Sequence, residues 1–343
     1  MPRSLLAPIA TLFVALLAVA CAAPRVTTQP PTPTPFASAA TPSPSPHTGA
    51  GGEMVFVADI PAFGPTIFRT DAASGDVVKL TDGESPAWSP DGSRIAFART
   101  DAAGLSGIWL MDPDGGSQVR LVDGFAPAWS SDGTVIAFSR STIDEGDLLV
   151  MKADGSGVTG LPGGLDHVWS PVGPQVLTVI GTAQPHIVIV NEDGSIAARL
   201  ADGKQPAWSP DGSRVAYVGW SAPSRIQVLT VATGADVAIG SLVDYPYGPA
   251  WSPDGSRVAY VGWQGDLYVA PVDGGDTLRL TNGLKAAGRP VWSPDGALIA
   301  LPVAATQFGA TVTDIWLVPI DKSGGRQFTT TGNASAPAWR PAP

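Results

Sequence analysis

One motif returns seven times along this 343-residue chain, and its period settles most of what the chain can become. The segment SPAWSPDGSRIAFAR (85–99) recurs as APAWSSDGTVIAFSR (126–140), QPAWSPDGSRVAYVG (205–219), GPAWSPDGSRVAYVG (248–262) and RPVWSPDGALIALPV (289–303). A degenerate copy, DHVWSPVGPQVLTVI, covers 166–180, and APAWRPAP (336–343) is a shortened one. The marker tryptophans Trp88, Trp129, Trp169, Trp208, Trp251, Trp292 and Trp339 are spaced 41, 40, 39, 43, 41 and 47 residues apart, and residues 207–220 and 250–263 are identical. A fixed period near forty residues marks an array of units that bury their apolar faces against one another.

Each unit carries the same local code. In Ser-Pro-Asp-Gly, proline presets φ and glycine supplies a positive φ, so the element is a tight hairpin turn. A β-branched or aromatic alternation such as Arg94-Ile95-Ala96-Phe97-Ala98 follows and reads as a half-buried strand. After a variable loop comes a third apolar run: GIWLMD (107–112), DLLVMK (147–152), HIVIVN (186–191), RIQVLT (225–230), DLYVAP (266–271) or DIWLVP (314–319). An Asp-Gly or Gly-Gly turn and a short fourth strand complete the unit. Four antiparallel strands per forty-odd residues describe one propeller blade.

Composition agrees. Gly 40 and Pro 34 make up about 22% of the chain, well above the usual share. Charged residues are 15% and hydrophobic ones 44%, which excludes a coiled coil or a charged disordered chain. No stretch free of Gly and Pro between 54 and 340 is long enough for an extended helix. The expectation is an all-β fold: a seven-bladed β-propeller of four-stranded antiparallel blades, closed by the C-terminal strand joining the N-terminal blade. Residues 54–81 supply strands two to four of a unit, and 336–339 supply the missing first strand. Proline stands two residues before the marker in six copies (Pro86, Pro127, Pro206, Pro249, Pro290, Pro337), with His167 in the seventh. Proline cannot donate to a ladder, so this strand belongs at a free edge, innermost in its blade.

The seven copies resemble the TolB-like, WD40-like β-propeller repeat family (the PD40 repeat) over 54–340. The resemblance implies the propeller fold and a binding role. TolB proteins proper carry six blades and an N-terminal α/β domain, for which this sequence shows no counterpart.

The first twenty residues, MPRSLLAPIATLFVALLAVA, place one arginine before an apolar run of about sixteen residues, too short for the roughly twenty that span a bilayer. They read as an export signal. Ala18-Val19-Ala20-Cys21 resembles the lipobox of bacterial lipoproteins, with Ala in place of Leu at its first position, and would make Cys21 the lipid attachment site. The same residues also satisfy the A-x-A rule of conventional signal cleavage. The segment 21–52 is rich in Pro, Ser and Thr, cannot bury apolar surface, and reads as an extended linker. The propeller is expected over 53–343. The chain is thus expected to be exported to the periplasm or the extracellular face and held to a membrane only through Cys21.

The net charge of −10 and the lack of a basic run exclude nucleic acid as an expected partner. One cysteine and three histidines exclude internal disulfides and make zinc sites improbable on composition; no cofactor or metal is expected. No G-x-S-x-G element is present. Asp91, Asp132, Asp211, Asp254 and Asp295 recur in five turns, as hairpins require and a single catalytic site does not.

Individuality is the better guide to a site. Loops after the second strand, and those leading into each Pro-Ala-Trp strand, vary between copies and share one face by propeller geometry. Three residues before the marker, the copies read Ser85, Ala126, Asp166, Gln205, Gly248, Arg289 and Ala336, a ring around the channel mouth. Asp166, His167, Gln205 and Arg289 are its distinctive polar members. Trp220 and Trp263 follow the second strand in two adjacent units, with Tyr245 and Tyr247 in the loop between them. These eight residues are the candidate binding face. The expected function is a non-enzymatic, monomeric binding module for an envelope protein. The alternative is a carbohydrate, cell-wall or small ligand, and the third class is an enzyme using Asp166 and His167.

Overall fold

The computed structural model describes residues 52–60, 64–140, 147–164, 166–240, 245–307 and 310–342. The export signal, Cys21, His47 and the linker to residue 51 lie outside the described residues. Among those described the chain forms strands and no helix, and no helix is long and apolar enough to cross a membrane.

The strands follow the repeat. The first sheet holds β1 (Glu53–Ile60), β2 (Gly64–Asp71) and β3 (Val77–Asp82). The second holds β4 (Glu84–Trp88), β5 (Ile95–Thr100), β6 (Ser106–Met111) and β7 (Val119–Asp123). The third holds β8 (Phe125–Trp129), β9 (Val135–Ser139), β10 (Leu148–Lys152) and β11 (Thr159–Gly160). Next in the chain come β12 (His167–Trp169), β13 (Gln175–Ile180), β14 (His186–Asn191), β15 (Ile196–Trp208), β16 (Arg214–Gly219), β17 (Ile226–Thr230) and β18 (Asp236–Ile239), all in one sheet. Two four-stranded sheets follow: β19 (Tyr247–Trp251), β20 (Arg257–Val261), β21 (Leu267–Pro271) and β22 (Leu278–Arg279), then β23 (Val291–Trp292), β24 (Leu298–Gln307), β25 (Ala310–Pro319) and β26 (Arg326–Gln327). The last strand, β27 (Ala334–Trp339), pairs antiparallel with β1 in the order β27-β1-β2-β3, setting Met54 opposite Trp339 and Ala58 opposite Ala334.

The all-β propeller stands, but the expectation of seven separate four-stranded blades is corrected: five sheets have four strands and the sixth has seven. The difference rests on one residue. Between β3 and β4, and between β7 and β8, a single glycine breaks the strand, Gly83 at φ 152° and Gly124 at φ 154°. The equivalent Gly203 does not take such a conformation, and β15 runs straight through. Its first half pairs with β14 and its second half, from Gly203 to Trp208, with β16.

The strands bearing the marker tryptophans touch in the order β27, β4, β8, β12, β15, β19, β23 and back to β27. At five of the ring positions, Ser85, Ala126, Gln205, Gly248 and Ala336, φ lies between 48° and 63°. There the ladder to the second strand shifts register, for example between Glu84 and Ala87 and between Lys204 and Ala207. Proline thus sits in a bulge as well as on an edge, and both places spare it a ladder donor.

The core lies between sheets rather than in one centre. Val55, Val57 and Ile67 of the first sheet pack with Trp88, Ile95, Phe97 and Met111 of the second, and the same pattern repeats around the molecule. The marker indoles add directed bonds. Each donates its Nε1–H to the backbone carbonyl just before the neighbouring marker: Trp88 to Ala338 (3.2 Å), Trp129 to Ala87 (3.2 Å), Trp169 to Ala128 (2.9 Å), Trp251 to Ala207 (3.0 Å), Trp292 to Ala250 (3.0 Å) and Trp339 to Val291 (3.2 Å). Trp208 departs from this pattern: its Nε1 is buried without an acceptor, within the seven-stranded sheet.

This difference predicts the outcome of a Trp→Phe series. At Trp169 or Trp251 the change deletes an inter-sheet hydrogen bond and should cost about 1 kcal/mol or more. At Trp208 it removes an unsatisfied donor, so Trp208→Phe should be the mildest of the series in urea unfolding. Equal losses at all positions would show that the indole bonds contribute nothing specific.

Candidate functional site

The Ser-Pro-Asp-Gly turns behave as scaffold. Ser89 Oγ donates to Asp91 Oδ1 at 2.6 Å while accepting the Arg94 N–H at 2.9 Å, and Ser93 donates both its N–H and its hydroxyl to the same carboxylate. Hydrogen bonds of this kind, led by the serine two residues upstream, hold the Asp91, Asp211 and Asp254 carboxyls down at about 2. These aspartates are engaged in closing their own turns.

Two further carboxylates have a structural role that the sequence reading did not single out. Asp266, 2% exposed, takes Arg279 Nη2 at 2.5 Å, Thr281 Oγ1 at 3.2 Å and the Leu284 N–H at 3.1 Å. Asp314, 4% exposed, takes Thr329 Oγ1 at 2.9 Å, the Gly332 N–H at 3.1 Å and Gln327 Nε2 at 3.1 Å. Asp266 stands just before β21 and Asp314 lies within β25, the third strands of their units, and each bonds the loop that leads toward the next inner strand. The shared spacing, Asp then Thr fifteen residues on, was the available signal.

On the loop face the polar ring positions meet. Arg289 Nη2 pairs with Asp166 Oδ1 at 2.5 Å, although 123 residues separate them in sequence. Their strands, β23 and β12, are separated around the ring by β15 and β19, so the ion pair bridges the axial opening. Gln205 joins the same network, its Oε1 accepting the Gly248 N–H at 2.8 Å, and Gly248 packs against the Arg289 stem, where a Cβ would come within 3.0 Å of Arg289 Cγ. His167 is half-buried in β12 opposite Thr178. Asp166 is thus engaged with Arg289.

The aromatic residues separate into two kinds. Tyr247 is part-buried, packs with the core between β20 and β24, and donates its hydroxyl to Ala286 O at 2.8 Å; burial pushes its pKa up. Tyr245 and Trp263 are 70% and 72% exposed and touch edge to face with ring centroids 5.7 Å apart. Trp220, 46% exposed, stands outside that ring pair. Its backbone N–H donates to Asp202 O at 3.2 Å. The Asp202 carboxylate in turn accepts Gln184 Nε2 at 2.8 Å and lies 2.6 Å from His186 Nδ1, contacts that hold its pKa down, Gln184 first. Three large rings are thus left in solvent on a scaffold whose other indoles are mostly buried. Among the described residues no cluster of three or more metal-ligating side chains occurs.

Known proteins match this architecture. TolB from Acinetobacter baumannii superposes with a TM-score of 0.55 at 18% identity, covering 85% of this chain and 67% of that one. An oligogalacturonate lyase in complex with manganese gives 0.61 at 16% identity, covering 78% and 86%. An acylaminoacyl peptidase gives 0.56 at 15% identity, covering 82% of this chain and 51% of its own. At these identities the likeness is one of fold. No curated protein sequence matches the chain. The model of the PD40 family, the TolB beta propeller domain, matches residues 177–342. Residues 177–342 thus resemble the TolB beta propeller domain in sequence, and the described strands resemble it in fold.

Proposed function

We propose that this chain is a non-enzymatic binding module, exported and tethered to a membrane through Cys21, that recognises a protein of the cell envelope. The observation that carries the reading is the exposure of Tyr245, Trp263 and Trp220 on the variable-loop face of two consecutive units. Large aromatic rings left in water cost solvation and are concentrated where partners bury them. The turn aspartates and indole bonds underneath make the platform rigid, so little ordering entropy opposes docking. The Arg289–Asp166 pair and Gln205 supply a polar neighbourhood at the channel mouth. A glycan is the second reading, favoured by the Gln184–His186–Asp202 cluster beside Trp220, since sugar sites combine an indole face with convergent hydrogen-bonding groups.

Affinity capture with residues 51–343 as bait in envelope extract, at low and high salt, tests this. A stoichiometric protein should be retained, weaken with salt as charge-steered contacts do, and disappear with the Trp220→Ala/Trp263→Ala double change while the melting temperature stays within a degree or two. Retention of glycan alone would move the assignment to the second reading. Unchanged protein capture by the double variant would refute the aromatic sector.

A further inference from the structure

The opposite face, built from the Ser-Pro-Asp-Gly turns, holds a site that the aromatic-sector reading does not use. Twice on this face an arginine lies over a marker indole of a neighbouring unit and donates to the carbonyl of that unit's turn glycine. The Arg214 guanidinium stands 5.1 Å from the Trp251 ring centroid, and its Nη2 donates to Gly255 O at 3.0 Å. Arg340 repeats this over Trp88, 5.2 Å from the centroid, with Nη2 donating to Gly92 O at 2.9 Å. Indole face and carbonyl together form a socket: the ring quadrupole attracts the cation, and the carbonyl takes one of the five N–H groups of the planar fork.

The repeat places an equivalent socket at Trp129 and Gly133, in a turn closed like the others. The Gly133 N–H donates to Ser130 O at 3.0 Å, and the Val135 N–H donates to Ser130 Oγ at 2.9 Å. By repeat register the residue that would fill it is Arg94, the counterpart of Arg214. Arg94 turns instead to Asp112 of its own sheet, Nη1 to Oδ1 at 3.2 Å. Among the described residues no cation lies over Trp129. A cleft of about 720 Å³ opens there, walled by Trp129 and Gly133, by Arg94 itself at its side, and by other residues of the β4–β7 and β8–β11 sheets. Asp91, Asp132 and Asp154 line it, each held ionised by hydrogen bonds within its own turn. From β7 come Val119, 53% exposed, and Leu121.

We propose that this cleft is a docking site for an arginine side chain on an extended segment of a partner protein, the guanidinium lying over Trp129 and donating to Gly133 O. An apolar neighbour of that arginine rests on Val119 and Leu121. The molecule fills the same kind of socket twice with its own arginines, which identifies the chemistry the third one accepts. The three carboxylates attract the cation but do not by themselves choose arginine over lysine; the planar fit between ring and carbonyl does. This site is independent of the aromatic sector, so either can fail without the other.

A fluorescein-labelled Leu-Arg-Leu peptide, followed by anisotropy against the full chain, reads the site directly. The lysine counterpart should bind at least tenfold more weakly. Asp154→Asn, which keeps an acceptor for Ser156, and Val119→Ser, both at exposed positions, should each weaken the arginine peptide at least fivefold with the melting temperature held within a degree or two. Equal binding of the arginine and lysine peptides would reduce the site to charge attraction and overturn the proposal. So would affinities untouched by both substitutions, or no binding at millimolar peptide.

Discussion

Removing Ala334–Pro343 should cost the propeller at least about 5 kcal/mol and lower Tm by on the order of 10 °C or more. β27 is the inner neighbour of β1, and its loss strips the backbone partners of Met54, Val55, Val57 and Ala58. Trp339, 8% exposed, leaves a cavity beside Met54, Phe56 and Leu317; deleting one buried tryptophan side chain alone costs roughly 3–5 kcal/mol. The Trp88 indole loses its acceptor on Ala338. Arg340 goes as well, and with it the ion pair to Glu53 (2.8 Å), the bond to Gly92 O and the cover over Trp88. Against a usual total of about 5–15 kcal/mol, the truncated chain should melt early or lack a cooperative transition. Adding the ten-residue peptide in trans should restore part of the loss. A truncated chain that melts with the full one would mean that β27 contributes no net stability.

Asp314→Ala should destabilise by about 2–4 kcal/mol, the largest effect of any single polar substitution in the molecule. The side chain is almost wholly buried and accepts three hydrogen bonds, from Thr329, Gly332 and Gln327. Truncation leaves the Gly332 N–H and the Thr329 hydroxyl facing a void, and a buried donor without a partner costs more than the net value of the bond it made. Thr329 Oγ1 also accepts the Ile315 N–H at 2.9 Å, so the loop from β26 to β27 and the middle of β25 loosen together. Asp314→Asn keeps the shape and one acceptor oxygen, and should recover about half of the loss. Chemical unfolding of both variants checks this; Asp314→Ala within 0.5 kcal/mol of the parent would refute the role.

Much of this was legible in the chain itself, because the fold is written in local chemistry repeated seven times. The turn serines and aspartates, the alternating second strand and the edge-seeking proline before six of the seven marker tryptophans all act within about fifteen residues of one another. The division into sheets was not legible. Gly83, Gly124 and Gly203 stand in nearly the same local sequence and each packs against the ring of the following strand, yet only the first two take a positive φ, 152° and 154°; no local pattern marks that difference. The ring of polar positions was legible as a ring, but the Arg289–Asp166 pair was not, since contact across the axis depends on how three-dimensional closure brings β12 and β23 to face each other. Tyr247 misled for a different reason. Its place in the loop between two units grouped it with Tyr245 and the two tryptophans, while its hydroxyl has a backbone acceptor at Ala286 that no local pattern reveals.

Hydrogen exchange on the chain with and without its captured partner tests the binding role most directly. The account predicts slowed exchange confined to the loop face, at 217–221, 245–247 and 260–264, with the Ser-Pro-Asp-Gly turns around Asp211 and Asp254 unchanged. Protection at those turns with none around Trp220 and Trp263 would contradict it.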